Sequence, residues 1–338
     1  SYTGEDLVEF STHGGLLVPG QLLTALLAAG ARPATAGEFT RRAFQNGKLD
    51  LLQAEAVADL VEAGTRAQGR GAIRQMEGGL SRRLDALRTG LIDVLALLSY
   101  DIDFPEEDDG PVDQAAIRDS LSRSRDAVAA LLDTAVVGER VRSGALVVLA
   151  GRPNAGKSSL FNALLQTERA LVTEIPGTTR DTIEADLDVD GWPIKLADTA
   201  GLRTSDDRLE QLGIEVSRKY LAAADLILLC VEAGRAFDAD EAALADHRTT
   251  IVVRTKSDLH PNAGGLGVSA LTGAGLERLA RVLVERLFGE VEQLADLEPL
   301  LTRERHRLAL EEALESLVGA EPQLGPDGDA VLAAHHVR

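Results

Sequence analysis

The chain has 338 residues, 45% of them hydrophobic, and carries 54 acidic against 35 basic side chains for a net charge of −19. That length suits two or three domains with sizeable cores, and the acidic balance excludes a protein coated in nucleic acid along its length. A single cysteine excludes a disulfide framework and fits a reducing, cytoplasmic setting, and no apolar run approaches the ~18 residues of a membrane span, so no membrane partner is expected.

Residues 1–48 read as the C-terminal part of an α/β domain. Leu7-Val8-Glu9-Phe10-Ser11 alternates as a half-buried strand does, Leu16 to Ala29 is apolar and helical, and Ala34 to Thr40 is a turn-rich link. The piece is too short for a core of its own and begins at Ser1, so a preceding part is expected to be missing. Residues 49–142 carry helical periodicity. Leu51, Ala54, Val57, Ala58 and Val61 share one face; Leu80, Leu84, Leu87, Leu91, Val94 and Leu95 share a second. An acidic turn from Phe104 to Pro111 interrupts the pattern, and Ile117, Leu121, Ala127, Val128 and Leu131 resume it. Between Arg32 and Arg88, the residues Arg41, Arg42, Lys48, Arg66, Arg70, Arg74, Arg82 and Arg83 read as solvated helix surface, with a local basic face as the alternative the net charge leaves open.

Residues 143–289 alternate strand and helix, which implies a doubly wound parallel sheet. Residues 290–338 turn helical again, with Leu308, Leu310, Ala313, Leu314 and Leu317 as a core face, so the α/β block reads as an insertion in one helical domain. His335 and His336 are adjacent, point apart on a helix and read as a surface pair. The end at Arg338 has no stop signal and reads as a truncation.

The chemistry is concentrated in the α/β block. The apolar run Ala145 to Ala150 is followed by Gly151-Arg152-Pro153-Asn154-Ala155-Gly156-Lys157-Ser158 and then by a helical segment. Strand, Gly-x4-Gly-Lys-Ser loop and helix in that order make a phosphate-binding loop, whose backbone N–H groups curl round phosphate oxygens. Lys157 reaches the β- and γ-phosphates and Ser158 places its hydroxyl on Mg²⁺. Asp198-Thr199-Ala200-Gly201, at the end of an apolar run, fits the Mg²⁺ shell and a γ-phosphate sensor. Pro176-Gly177-Thr178-Thr179 lies between them as a switch segment, with Thr179 the metal-binding choice. Thr255-Lys256-Ser257-Asp258 follows another strand; the Asp258 carboxylate accepts from the guanine N1–H and amine, a pair adenine cannot supply. Thr255 stands where this motif usually has Asn, which predicts a weakened brace to the loop. Ser269-Ala270-Leu271 matches the backbone loop that closes on the base. Leu202 stands where many GTPases place a water-orienting Gln, and Asp206, Asp207, Glu210 and Glu215 remain open as its substitute. Cys230, inside a buried-strand pattern, reads as a core thiol.

Tyr2 to Asp6, His13-Gly14-Gly15, Gly37 to Phe44 and Leu49 to Ala56 resemble the tRNA-modification GTPase family MnmE (TrmE), and the resemblance spans essentially the whole chain. It implies a multidomain α and α/β protein: the end of a folate-binding, dimerising domain, then a helical domain interrupted by a Ras-like GTPase domain. It implies a homodimer that works with the flavoprotein MnmG (GidA), as a heterotetramer or larger complex, on carbon 5 of the wobble uridine of certain tRNAs. It implies formyl-tetrahydrofolate contacts at Glu9 and Lys48, K⁺ ligands at Asn154, Thr173, Ile175 and Thr178, Mg²⁺ ligands at Ser158 and Thr179, and a water-orienting glutamate at Glu210. The nucleotide-binding set it implies also takes in Ala155, Gly156, Ser159 and Glu174. The family's Cys-containing tail is not reached, and Cys230 is not its equivalent.

Overall fold

The computed structural model describes residues 1–15, 17–103, 114–170, 184–198, 219–260, 264–289, 300–325 and 328–337. Helix α1 (Leu17–Ala28) buries no residue, and α2 (Glu38–Gln45) buries Glu38 and Ala43. The expected strand at Leu7–Ser11 does not form. A strand needs a partner for its backbone groups, none of the described residues supplies one, and Val8 and Phe10 are 77% and 58% exposed. Residues 32–42 carry a polar cluster instead. Arg32 makes a two-pronged pair with Glu38, Thr35 N–H and Arg42 add donors to the same carboxylate, and together they hold it well below the usual carboxylate range.

The helical region opens with α3 (Leu51–Glu62), α4 (Arg66–Met76), α5 (Gly79–Asp103), α6 (Gln114–Asp133) and α7 (Ala135–Ser143). Two capping boxes start it: Asp50 with Gln53, and Thr65 with Gln68. The apolar stripe expected on α3 is not the buried one. Leu51 and Val61 are 50% and 81% exposed, and Ala56 is buried instead. The helix turns Ala56, Glu55 and Asp59 inward, where the two carboxylates meet Arg303. On α5 and α6 the expected stripe holds: Val94, Ile117, Leu121 and Val128 form one core, which Leu98 joins.

Leu317, Ala320, Leu324, Ala333, Ala334 and Val337 join that same core. They come from α11 (Glu304–Ala320), a short 3₁₀ turn (Glu321–Leu324) and α12 (Ala330–Val337). The bundle is therefore closed by residues from both sides of the sheet domain. Leu308, expected in the core face of α11, is exposed; Leu310, Leu314 and Leu317 keep to it. His335 is exposed and His336 packs beside Gly319.

Between the two halves lie β1 (Ala145–Ala150), α8 (Lys157–Thr167), β2 (Arg169–Ala170), β3 (Glu184–Val189), β4 (Trp192–Asp198), β5 (Leu226–Glu232), α9 (Ala239–Ala245), β6 (Thr250–Thr255), β7 (Leu266–Gly267) and α10 (Leu276–Phe288). The strand order is β2-β3-β4-β1-β5-β6-β7. The sheet is mixed rather than wholly parallel: β2 and β3 run antiparallel to their neighbours. The cause is the turn Asp190-Gly191, whose positive φ values of 52° and 92° give the two-residue geometry that joins antiparallel strands. Its register pairs Val189 with Trp192.

The two chain crossings meet at α7. Leu301 N–H donates to Thr134 Oγ1 at 3.1 Å, and Arg142 Nε donates to the Thr302 carbonyl at 2.8 Å. Gly138 lets the returning backbone lie directly on the helix: a Cβ there would stand 2.2 Å from the Leu301 oxygen. Gly138→Ala is expected to lower stability by about 1–3 kcal/mol, as overpacking does. Gly90→Ala, where among the described residues the added Cβ meets only Ser124 Oγ at 3.6 Å, is expected to be neutral or stabilising by up to ~1 kcal/mol. Thermal unfolding of the two variants checks the contrast.

Candidate functional site

The site forms where β1, β4, β5 and β6 end, the edge of an open α/β sheet at which ligands bind. β1 is sealed by Val147, Val148 and Leu149, all fully buried, and delivers the chain into the loop Gly151–Gly156. Gly151 (φ 135°) has no room for a side chain: a Cβ would lie 2.4 Å from the Cys230 carbonyl of β5. Gly156 (φ 88°) caps α8, and Asn154 is a non-glycine residue at φ 62°. The backbone is thereby curled in the way that turns N–H groups toward an anion.

Lys157 is buried and its Nζ donates to the carbonyls of Gly151 and Arg152, both at 2.8 Å, so the ammonium is folded over the loop. Ser158 Oγ donates to Asp198 Oδ2 at 2.7 Å. That contact joins the start of α8 to the end of β4 and places a hydroxyl and a carboxylate side by side. Hard oxygen donors beside a phosphate cradle suit Mg²⁺, so the residues present fit that ion. The cleft over the loop has a volume of about 750 Å³ and runs toward α9, past Arg152, Asp238 and Lys256.

Thr255 supplies a brace to the phosphate loop. Its buried hydroxyl donates to the Ala155 carbonyl at 2.6 Å, so β6 braces the loop through threonine. The side chain is short, but Gly156 comes close enough for a Cβ there to lie 3.4 Å from that of Thr255. The brace at this position is a direct hydrogen bond. Lys256 (φ 54°) pairs with Glu232 at 3.1 Å, and Ser257 N–H donates to the Val268 carbonyl at 3.2 Å. This last bond sets Asp258 beside the loop Ser269–Leu271. Asp258 and Leu271 are exposed, Ala270 is half-buried, and Ser269 is fully buried with its Oγ accepting from Thr272 N–H. None of Asp258, Ser269, Ala270 and Leu271 walls the cleft.

Burial pushes the Cys230 thiol up to about 12, which fits a packing role. Ser159 is exposed on the first turn of α8. Thr173, Glu174, Ile175, Pro176, Gly177, Thr178, Thr179, Thr199, Ala200, Gly201, Leu202 and Glu210 lie outside the described residues. Glu9 and Lys48, both exposed, sit far along the chain from this site; Lys48 packs beside Gly4.

One feature of the site was missed in the sequence. Arg152, inside the phosphate loop, forms an ion pair with Asp238, which also caps α9 in a capping box with Glu241; Arg235 pairs with Glu241 in turn. The bond from Glu241 N–H and the nearby Arg152 lower the affinity of Asp238 for a proton. The signal was present as Asp-x-x-Glu ahead of a helix.

Residues 51–338 match the MnmE helical domain family, and residues 1–48 match the family described as the GTP-binding protein TrmE N-terminus. The chain is 46% identical over 330 residues to the tRNA modification GTPase MnmE of Thermus thermophilus, covering 94% of this chain and 74% of that protein. It is 47% identical over 328 residues to the protein of the same name from Rhodospirillum rubrum, covering 94% and 71%. With that of Desulfitobacterium hafniense it shares 41% over 335 residues, covering 94% and 72%.

The brace yields a test. Thr255→Val keeps the shape and leaves the buried Ala155 carbonyl unpaired, which costs about 1–3 kcal/mol. The variant is expected to melt lower and to bind guanine nucleotide less tightly, while Thr255→Ser retains both properties. Calorimetric titration with GDP alongside thermal unfolding checks it.

Proposed function

The chain belongs to the MnmE family of tRNA modification GTPases, and on that premise we propose that its GTP hydrolysis is coupled to modification of carbon 5 of the wobble uridine of certain tRNAs. Residues 143–289 act as the GTPase domain, set between helical halves at 49–142 and 290–338; residues 1–48 are the end of a folate-binding, dimerising domain. The observation that carries the reading is the Ser158–Asp198 contact of 2.7 Å beside the buried Lys157, a metal-type donor pair at the mouth of a phosphate loop.

The loop N–H groups and Lys157 hold the β- and γ-phosphates and offset charge that builds on them during transfer. Ser158, Asp198 and, from the switch segment, Thr179 are the side chains that would hold Mg²⁺, which when bound neutralises charge shared by the two phosphates. Asp258 reads guanine while Ser269, Ala270 and Leu271 close on its edge with Lys256 beneath. Asn154, Thr173, Ile175 and Thr178 would hold K⁺, a positive charge where other GTPases use an arginine. Leu202 cannot orient water, and Glu210 takes that task, through an intervening water that spares its carboxylate the repulsion of the γ-phosphate. Glu9 and Lys48 contribute to a site for a 5-formyltetrahydrofolate-type one-carbon donor. Two copies pair through the N-terminal domain and act in the cytoplasm with the flavoprotein MnmG.

GTP turnover in K⁺ and in Na⁺ buffer tests the cation. K⁺ is expected to accelerate hydrolysis, in the direction of the roughly 10³–10⁵ that an arginine supplies. Glu210→Ala is expected to retain nucleotide and lose turnover. Equal rates in the two salts, or normal turnover by Glu210→Ala, would sink this mechanism. Mass spectrometry of wobble uridines in cells lacking the protein tests the pathway: modification that persists unchanged rules out the tRNA role.

A further inference from the structure

We infer that the outward face of α4 is a docking surface for the phosphodiester backbone of RNA. The inference rests on the RNA-modifying reading above and names the surface that reading leaves open.

Helix α4 packs through Ala67, Ala72 and Gln75, and its opposite face carries Arg66 and Arg70, one turn (~6 Å) apart. Both are exposed, and neither has a side-chain hydrogen bond or ion pair among the described residues. Arg74, half-buried, continues the row. From Thr65 to Met76 there is no carboxylate, in a chain whose acidic side chains outnumber the basic ones by 54 to 35. The nearest acids in sequence are Glu62, four residues before Arg66, and Glu77 at the helix end, and Asp190 lies in the turn that abuts Arg66, so the carboxylates flank the face and none stands on it. A face built of donors alone suits a ligand that carries acceptors alone, which a phosphate backbone does and a protein surface of mixed charge does not. The planar guanidinium also matches phosphate in two-pronged geometry.

A second, independent observation points outward. Gly69 and Gly71 sit inside α4, where glycine weakens a helix. Packing among the described residues requires neither: a Cβ at Gly69 meets none of them within 4 Å, and one at Gly71 meets Val141 at an ordinary 3.5 Å. Gly69 lies on the arginine side, next to Ile73, which is 47% exposed. A notch kept open against the helix's own preference allows close approach of something from outside. The face is also tied to the nucleotide domain, since Ala67 N–H donates to the Gly191 carbonyl at 2.9 Å. RNA seated on α4 would therefore bear on the β3–β4 hairpin, whose second strand ends at Asp198.

The test is an anisotropy titration of the full chain with a fluorescein-labelled, unmodified tRNA transcript at several KCl concentrations. Arg66→Gln combined with Arg70→Gln is expected to weaken binding on the order of tenfold or more and to make the slope of log K against log salt shallower by about 2. Basal GTP hydrolysis should stay unchanged, which separates lost docking from lost folding. Gly69→Ala is expected to raise the melting temperature while weakening RNA binding. Unchanged affinity and slope in the arginine double variant overturn the proposal. So does competition by poly-glutamate as strong as that by unlabelled tRNA, which would mark the face as a seat for an acidic protein. Wild-type chain that hydrolyses GTP yet retains no tRNA at low salt overturns the docking surface and leaves the GTPase reading standing.

Discussion

A bundle interrupted in the middle of its sequence can close only if the interruption begins and ends at nearly the same place. Here α7 delivers the chain into β1, and residues 300–303 bring it back across α7. Around the buried Leu301, which packs on Leu131 and Ala135, that contact is built from polar and small groups: the Thr134 hydroxyl, the Arg142 guanidinium, the bare Cα of Gly138, and Arg303 held by Glu55 and Asp59 of α3. Fixing the two crossings together removes the loop-closure penalty that would otherwise oppose joining α5 and α6 to α11 and α12. The sheet domain also touches the bundle through Ala67 and Val141, which share its core, and through Arg140, whose Nε donates to Asp225 at 2.7 Å. Motion of the nucleotide domain must therefore pass through a short list of contacts beside α7, with Gly144 (φ 86°) between that helix and β1.

Precision at the phosphate loop is achieved in a comparable way, by several strands fixing one piece of backbone. The Cys230 carbonyl of β5 lies directly under Gly151, Thr255 of β6 reaches Ala155, Ser158 meets Asp198 of β4, and Arg152 is tethered to the cap of α9. Sites carried on rigid elements hold their groups closer to working geometry than sites on free loops. The buried thiol and the absent side chain at Gly151 belong to the same packing arrangement, since the carbonyl that excludes a Cβ there is that of Cys230.

Much of this could be read from residues alone, because the strongest signals were local. The phosphate loop follows a continuous apolar strand and opens a helix, and the heptad-like leucines of α5 and α6 fall on their buried face. What escaped was pairing. Leu7 to Ser11 alternates correctly but finds no neighbour among the described residues to complete a ladder, and periodicity carries no information on neighbours. Asp190-Gly191 was a legible hairpin turn that the expectation of a parallel sheet overrode. On α3 the apolar face yielded to an ion-pair cluster with Arg303, a residue far away in sequence. That Thr255 reaches the Ala155 carbonyl is a distance that only coordinates supply.

The burial of Cys230 also has a practical side. It is the chain's sole cysteine, fully enclosed in β5, with its thiol held protonated throughout the neutral range. These 338 residues therefore behave toward thiol-directed reagents as a cysteine-free background. A cysteine placed on the surface of α4 and another on the rim of the nucleotide cleft would take up paired spectroscopic probes without removal of the native residue. Distances between the helical and nucleotide domains can then be followed in solution on a chain whose core packing is untouched.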